Sequence, residues 1–221
     1  ELNLKEKTKS LEQELKDSFG NDIIFMGNLN LIKEKKYIDN TFKNKILTYT
    51  NKKITKINDK TRLISFGNLN VKIDLINKNI LVNKYSPYDK LMFKGGNMNN
   101  WNIKFRDFSK NNSKQNIFPR DSNGLTGCLN FFDMEFKNLN IEVENAVCED
   151  SINFVRSNGS LNSIEIINTL GDALDADFSN ININNIDIKN SKNDCIDFSY
   201  GKYRIKKANI FQCGDKGISV G

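Results

Sequence analysis

Aspartate recurs at a fixed spacing in the C-terminal half of the chain. The segment GDALDADFSN, residues 171–180, contains three aspartates within six positions, and the related segments NDCIDFSYG and GDKGISVG follow it. These segments align on one constant period into two polar columns, one of Asp150, Asp172, Asp194 and Lys216 and one of Asn153, Asp175, Asp197 and Ser219. Two carboxylates about 5 Å apart repel each other by roughly 3 kcal/mol at an effective dielectric constant of about 20. A bound cation, a shared proton or nearby hydrogen-bond donors must offset that repulsion.

Clustered carboxylates of this kind support two chemistries and one structural role. Hard cations such as Ca²⁺ bind carboxylate oxygens, and paired carboxylic acids cleave glycosidic bonds by general acid–base catalysis. The candidate calcium ligands are Asp172, Asp175, Asp194 and Asp197. Aspartate side chains at turns also accept hydrogen bonds from backbone N–H groups and thereby stabilise the turn alone. The residues themselves leave these alternatives open.

The absence of histidine narrows the chemistry. With no histidine among 221 residues, the chain cannot form a Ser-His or Cys-His nucleophilic pair or a histidine-ligated metal site. Any catalysis would rest on Asp, Glu, Lys, Arg or Tyr side chains. The cysteines show no CxxC pair and no zinc-ligand spacing; they are Cys128, Cys148, Cys195 and Cys213. We expect them to be buried free thiols, and a single disulfide stays open for an exported protein.

The same period runs through the apolar residues that must position the aspartates. One column consists of Ile152, Leu174, Ile196 and Ile218, and a second consists of Phe154, Ala176, Phe198 and Val220, with Phe132 one period earlier. Columns two positions apart match a β-strand with one buried face. A repeat of about 22 residues with several short strands is typical of a solenoid, in which each coil buries its inner face against the next. We predict an all-β fold, a right-handed parallel β-helix with about 22 residues per coil, because twisted parallel strands connect through right-handed crossovers.

The sequence divides into three segments. Residues 1–21 place apolar residues on one face of a helical pattern, which predicts an N-terminal helix or stalk. Residues 22–93 contain a weak internal repeat, IIFMGNLNLIKE at 23–34 and LISFGNLNVKID at 63–74, and predict a small β module. Residues 94–221 are predicted to form the parallel β-helix. We expect this domain to be truncated at its C-terminal end, because the final segment GISVG stops within a strand pattern.

Three segments resemble the active-site coils of a known family. LGDALDA, KNDCIDF and DKGISVG are similar to NTDGID, GDDCIAI and GHGISIG of polygalacturonase-type glycoside hydrolases in the pectin-lyase-like superfamily. The resemblance implies a right-handed parallel β-helix that acts on acidic polysaccharide, with three aspartates as general acid and water activators. It assigns Asp172 and Asp194 to two of those aspartates. It places Asn193 at the general-acid position and Lys216 at the position of the family's histidine.

These two differences from the family pattern alter the chemistry that the resemblance implies. Because an amide cannot donate the leaving-group proton, hydrolysis would require Asp215, in the same column as Asn193, as the acid. A lyase or epimerase fits better, since Lys216 or Arg156 would remove the C5 proton of a uronic acid residue whose carboxylate is bound by a metal ion or a cationic side chain. The candidate catalytic residues are Asp172, Asp194, Lys216 and Asp215. The candidate substrate-binding residues are Asp175, Asp197, Asn193, Arg156 and Tyr200.

A second resemblance favours a role without catalysis. The segments EDSINF, DADFS, IDFS and GDKGISVG are more similar to β-helix regions of bacterial envelope and secreted proteins, whose activity is generally unassigned. On this alternative the protein is an envelope or adhesion scaffold, and the aspartates form a structural ladder that Ca²⁺ would stabilise. Both alternatives imply an extracellular or envelope location. Both also imply a partner that is an acidic polysaccharide or a cell-surface glycan.

The remaining partner classes are disfavoured by composition. The net charge is +6, and the excess of Lys and Arg lies in the N-terminal half. No compact cluster of Lys and Arg with interleaved aromatic residues accompanies it, so we expect no nucleic-acid partner. No run of 18 or more apolar residues occurs, so we expect no transmembrane span in this chain.

Overall fold

A computed structural model describes residues 46–47, 51–109, 120–121, 124 and 126–221 of the chain. Every regular element among these residues is a β-strand, and no helix in this part of the chain is long and apolar enough to cross a membrane. The N-terminal helix predicted over residues 1–21 lies outside the described residues. So does the first half of the weak internal repeat.

The described residues form 18 strands. In chain order these are β1 (Ile46–Leu47), β2 (Lys52–Lys56), β3 (Arg62–Phe66), β4 (Asn70–Asp74), β5 (Asn79–Lys84), β6 (Lys90–Lys94), β7 (Asn97–Asn99), β8 (Asn102–Asp107), β9 (Arg120–Asp121), β10 (Gly127–Phe132), β11 (Glu135–Glu144), β12 (Asp150–Val155), β13 (Asn158–Thr169), β14 (Asp172–Asp177), β15 (Asn180–Ser191), β16 (Ile196–Ser199), β17 (Lys202–Cys213) and β18 (Ile218–Val220).

Two long sheets contain most of these strands. The first sheet has the order β18-β16-β14-β12-β10-β6-β3-β2, and the second has the order β17-β15-β13-β11-β8-β5-β4, with β7 also paired to β11. Strands β1 and β9 form a separate parallel pair. From β10 onward consecutive strands alternate between the two long sheets, so the chain winds as a coil and each strand pairs with its counterpart one coil later.

The coils stack in the predicted register. Ile152 pairs with Leu174, Leu174 with Ile196 and Ile196 with Ile218, all in parallel ladders. The described residues therefore form a β-solenoid of about six turns with coils of about 22 residues, as the apolar columns predict. One partner differs from the prediction: Phe131, not Phe132, pairs with Phe154, because this coil is one residue longer.

The solenoid begins with antiparallel pairs. β3 is antiparallel to both β2 and β6, and β4 is antiparallel to β5. Parallel pairing starts where β5 meets β8 and where β6 meets β10. Both long sheets thus run through residue 93, where the sequence places the end of the small β module.

Apolar side chains from both sheets fill one core. The aromatic rings of Phe93, Phe131 and Phe154 stack in sequence, with centroids 5.1 Å and 4.6 Å apart. Leu174 and Ile196 are almost fully buried in the same core. Burying such side chains contributes about 1.5–3 kcal/mol each, so the stacked columns stabilise the solenoid along its length.

Asparagine residues occupy one recurring corner of the coils. Asn145, Asn168 and Asn190 all have positive φ, between 58° and 63°, a conformation that asparagine adopts more readily than most residues. Their side chains also form a ladder, since Asn168 donates to Asn145 at 3.0 Å and Asn190 donates to Asn168 at 2.8 Å. Asparagine is abundant in these coils in part because a corner position with positive φ recurs in successive coils and favours asparagine.

The cysteines correct the prediction of buried free thiols. Cys128 is bonded to Cys148 and Cys195 to Cys213, and no described cysteine is free. The partners are 20 and 18 residues apart, slightly less than one coil. Residues with that separation lie on neighbouring coils, which is why a pattern without CxxC pairs still forms two disulfides. The two bonds indicate an oxidising, extracytoplasmic environment.

Candidate functional site

The predicted site residues lie in strands of the first sheet and in the turns at the ends of these strands. Asp172 and Asp175 belong to β14, Asp197 belongs to β16, and Asp194 and Lys216 lie in the turns that lead into β16 and β18. The two polar columns keep their predicted pairing, since Asp150 pairs with Asp172 and Asp175 pairs with Asp197. The side chains of these two columns nevertheless have different hydrogen-bond partners. By these partners we divide them into an aspartate ladder and a carboxyl cluster.

The aspartate ladder consists of Asp172, Asp194 and Lys216, joined from coil to coil. The carboxylate of Asp172 accepts the backbone N–H of Asp194, and the carboxylate of Asp194 accepts the backbone N–H of Lys216, both at 2.8 Å. Asn193 adds a side-chain hydrogen bond to Asp172 at 2.6 Å. The ammonium group of Lys216 lies 3.4 Å from Asp194 and 2.8 Å from Asp215. These donors and cations offset the repulsion between the carboxylates, so the ladder stabilises the turns.

Asp150 stands in the same column but does not continue the ladder. The backbone N–H of Asp172, which would be its partner, donates to the carbonyl of Glu149 at 2.6 Å. The carboxylate of Asp150 instead accepts hydrogen bonds from the hydroxyl of Thr126 and, at 3.3 Å, from the amide of Asn153. Asp150 therefore belongs with the second column.

We call Asp150, Asn153, Asp175 and Asp197 the carboxyl cluster. The Asn153 amide donates to Asp175 at 2.6 Å as well as to Asp150, so one side-chain amide serves two carboxyl groups on neighbouring coils. Asp150 and Asn153 are buried, and Asp175 is half-buried. In contrast to the ladder, the hydrogen bonds that Asp150 and Asp175 accept in the described part of the chain come from side chains.

Burial and mutual repulsion raise the pKa values in this cluster. Burial raises the pKa of Asp150 to about 7, with smaller contributions from the charges of Glu149 and Asp172. Burial also raises the pKa of Asp175 to about 9, and the charges of Asp150, Asp177 and Asp197 add to it. Burial, aided by Asp197, raises the pKa of Asp177. At neutral pH the cluster therefore holds at least one proton, which is how two crowded carboxyl groups lower their repulsion.

Two buried amide oxygens, one in the cluster and one on the preceding coil, have no hydrogen-bond donor. Oδ1 of Asn153 and Oδ1 of Asn130, its partner on the preceding coil, are both buried without a partner.

The predicted calcium ligands are divided between the two columns, Asp172 and Asp194 in the ladder and Asp175 and Asp197 in the cluster. Among the described residues, no group of three or more His, Cys, Asp or Glu side chains is arranged to hold a metal ion.

Arg156 and Tyr200 lie at a corner beside the cluster. Arg156 binds Asp133 at 2.8 Å, and its guanidinium group lies 4.3 Å from the centre of the Phe132 ring. Tyr200 stacks on Phe178 with ring centroids 5.1 Å apart and an angle of 5° between the rings. Both of these rings are mostly exposed, at 66% and 59%.

This corner has an unusual backbone for its side chains. Arg156, Phe178 and Tyr200 have φ values of 47°, 50° and 47°, a region that bulky residues rarely adopt. The corner geometry recurs with the coil, but the coil does not require aromatic side chains there. Strained positions of this kind are often retained at binding surfaces.

Sequence reasoning missed three residues of this face. Asn153 and Asp150 were visible in the columns, but their burial, which raises the pKa values, was not. Phe178 lies one coil before Tyr200 and could have been found by extending the alignment one position past Asp177.

A shallow depression of about 510 Å³ lies elsewhere, and none of the predicted site residues lines it; its residues are Asn51, Lys52, Lys53, Gly67, Asn68 and Leu69.

Comparison of the chain with known protein families, with curated proteins and with solved structures found no match.

Proposed function

We propose that the protein is a carbohydrate-active β-solenoid that binds or acts on acidic polysaccharide along the outer face of the first sheet. The observation that carries this proposal is the contrast between the two columns. The ladder carboxylates accept backbone N–H groups, whereas Asp150 and Asp175 share one side-chain amide. Burial raises the pKa of Asp172 in the ladder as well, but it raises those of Asp150 and Asp175 to about 7 and about 9. Carboxyl groups with perturbed pKa values beside ionisable neighbours are typical of functional sites.

The proposed chemistry depends on Asp175 keeping its proton at neutral pH. A protonated carboxyl group can donate a hydrogen bond to a uronate carboxylate, or transfer its proton to a glycosidic oxygen as a general acid. Asp197 lies opposite it on the next coil, and adjacent strands are about 4.8 Å apart. Asn193 then need not be the acid, which removes the main objection to hydrolysis.

The exposed aromatic pair supports a carbohydrate ligand. Phe178 directly follows Asp177, and Tyr200 lies at the equivalent position one coil later. Exposed apolar groups beside polar residues are common in ligand sites. The apolar C–H faces of a sugar ring would pack against these rings while its hydroxyl groups bind the carboxyl cluster.

We further propose that the solenoid is right-handed and that its likeness to polygalacturonase-type hydrolases extends to the substrate class. The crossover preference of parallel strands supports the hand. The coil motifs around Asp172 and Asp194 support the substrate class, although here these two residues act in the ladder. Secretion or display on the cell envelope would be consistent with the two disulfides.

A scaffold without catalysis is the second candidate. The aspartate ladder and the asparagine ladder both join successive coils through hydrogen bonds and explain a rigid solenoid without any ligand. On this alternative the carboxyl cluster would be a tolerated defect of the same structure. Removing one of its carboxyl groups would then only increase stability.

An experiment with uronic-acid polysaccharides distinguishes the two candidate functions. The chain would be incubated with a panel of them, and reducing ends, unsaturated products and bound polysaccharide would be measured for three proteins: the natural chain, Asp175→Asn and Glu165→Gln. Glu165 is an exposed carboxylate on the second sheet and serves as the matched control. We expect binding or turnover by the natural chain and the control and a loss in Asp175→Asn. Equal results for all three proteins, or no binding by any, would favour the scaffold.

A further inference from the structure

A buried lysine and a buried aspartate meet inside the solenoid, away from the carboxyl cluster. Lys84 is the last residue of β5 and Asp107 the last residue of β8, and the two are direct partners in the parallel ladder. Their side chains follow Ile80 and Val82, and Ile103 and Phe105, at inward-facing positions. Nζ of Lys84 lies 2.6 Å from Oδ2 of Asp107, and both side chains have no exposed surface.

Such a pair is costly as two charges. Desolvation of a buried ammonium and a buried carboxylate opposes their mutual attraction. Burial lowers the pKa of Lys84, against the effect of Asp107, which raises it. Burial therefore weakens the preference of Lys84 for its charged form.

We propose that Lys84 and Asp107 condense to form an intramolecular amide, an isopeptide bond between Nζ and Cγ. In this step the Nζ–Cγ bond forms and the Cγ–Oδ2 bond breaks. Two of the three ammonium protons leave with Oδ2 as water, and the third remains on the amide nitrogen. The step needs no oxidant, reductant or other reactant, and it replaces two buried charges by one neutral amide.

The surroundings of Asp107 favour attack at its carboxyl carbon. Oδ1 accepts both the backbone N–H of Ser109, at 2.8 Å, and the hydroxyl of the same residue. These donors are placed to stabilise the negative charge that develops on Oδ1 in the tetrahedral intermediate. The amine is held within contact distance in a site that excludes water, which supplies the proximity that such a reaction requires.

A third buried carboxyl group is available to move the protons. Asp89 is 5% exposed, its Oδ2 has no hydrogen-bond partner, and its charge interacts with those of both Lys84 and Asp107. Burial raises the pKa of Asp89, and we assign it the role of proton carrier, which requires its side chain to come within hydrogen-bond reach of Nζ. Gly67 makes room for this side chain, because a Cβ atom there would collide with Oδ1 of Asp89.

The remaining contacts of Lys84 would survive condensation. Nζ already donates to the carbonyl of Val147 at 2.9 Å, and the amide N–H would keep this acceptor. The sulfur atoms of Cys128 and Cys148 lie 3.3 Å from Nζ and close the site on another side. The isopeptide bond would join two neighbouring coils next to a disulfide, so that two covalent links hold the same region. This inference does not depend on the proposed carbohydrate function.

Mass spectrometry of the purified chain tests the proposal directly. After reduction and alkylation of the disulfides, the intact chain should be lighter than its sequence by one water. Proteolysis should release a branched peptide that contains Lys84 and Asp107. The ion pair of Lys104 and Glu142 is an internal control, since its atoms are 2.8 Å apart but its side chains are about half exposed, and its peptides should appear unlinked.

Variants identify the reacting groups. Lys84→Arg and Asp107→Ala should each restore the full sequence mass, and Asp89→Asn should slow or abolish the loss of water while Lys84 and Asp107 are present. The natural chain decides the question even if a variant does not fold. Full sequence mass with an unlinked Lys84 peptide, or loss of water without the branched peptide, would overturn the proposal.

Discussion

Replacing Asp175 by asparagine should change how the stability of the protein depends on pH. Burial and neighbouring carboxylates raise the pKa of Asp175 from its ordinary value of 3.8 to about 9. Between these values the folded chain keeps a proton that the unfolded chain releases. The contribution of Asp175 to the free energy of unfolding is therefore fully present below pH 3.8 and decreases as the pH rises from 3.8 to about 9.

The size of the effect follows from the shift. Each pH unit within the interval costs about 1.4 kcal/mol for one group. At pH 7, roughly three units above the ordinary pKa, Asp175 would lower the free energy of unfolding by on the order of 4 kcal/mol, and at pH 5 by about 1–2 kcal/mol. Asparagine at this position cannot ionise, and its Oδ1 can still accept the hydrogen bond from Asn153. We expect Asp175→Asn to be more stable than the natural chain by about 2–4 kcal/mol at pH 7. The range extends below about 4 kcal/mol because the ionisation of Asp150, which is coupled to that of Asp175, will adjust to the substitution.

Urea unfolding at pH 5, 7 and 8.5 measures this difference. Trp101 is the only tryptophan and is buried in the core, so its fluorescence reports global unfolding. The difference between the variant and the natural chain should grow with pH, and the exposed-carboxylate control Glu165→Gln should show no such growth. Parallel pH profiles for Asp175→Asn and the natural chain would refute the reasoning, because they would show that Asp175 ionises normally in the folded protein.

Three further substitutions test the fold and the ladder by the same unfolding measurement. Leu174→Ala should lower the free energy of unfolding by about 2–5 kcal/mol, because it empties a fully packed inward position; a change below about 1 kcal/mol would mean that the column is not packed. Tyr203→Phe should cost about 1–2 kcal/mol, since the hydroxyl donates to the carbonyl of Ala176 at 2.8 Å; an unchanged stability would show that water replaces this bond. Asp194→Ala should cost about 1–3 kcal/mol through loss of the acceptor for Lys216, and polysaccharide binding should persist; loss of binding without loss of stability would place the site on the ladder.

The coil architecture could be predicted from the sequence because apolar residues at equal positions must stack. Leu174 and Ile196 fit this rule, and the structure pairs them as predicted. The shift from Phe132 to Phe131 arose because one coil is a residue longer, which a strictly constant period cannot accommodate. The disulfides were missed because a spacing of 18 or 20 residues has no meaning until the length of a coil is known.

The partition of the aspartates could not be predicted from their columns. Asp150, Asp172 and Asp194 are equivalent by sequence, yet the first accepts no backbone N–H from the next coil because the N–H of Asp172 donates to Glu149. A difference of one hydrogen bond thus determines which carboxylates accept turn N–H groups, whereas the raised pKa values, including that of Asp172, follow mainly from burial. Burial of Asn153, which couples the two carboxyl groups, likewise depends on packing that no pattern of residues displays.

Carboxyl NMR of the chain with ¹³C-labelled aspartate most directly tests whether the carboxyl cluster is a carbohydrate site. Resonances would be assigned with Asp150→Asn and Asp175→Asn and followed between pH 4 and 10, with and without oligosaccharides of uronic acids. We predict that the carboxyl groups of Asp150 and Asp175 ionise well above the usual range for aspartate and that an oligosaccharide shifts their resonances and midpoints, while Asp187, on the second sheet, is unaffected. Normal ionisation of Asp175, or raised midpoints that no oligosaccharide in the panel disturbs, would contradict the proposed site.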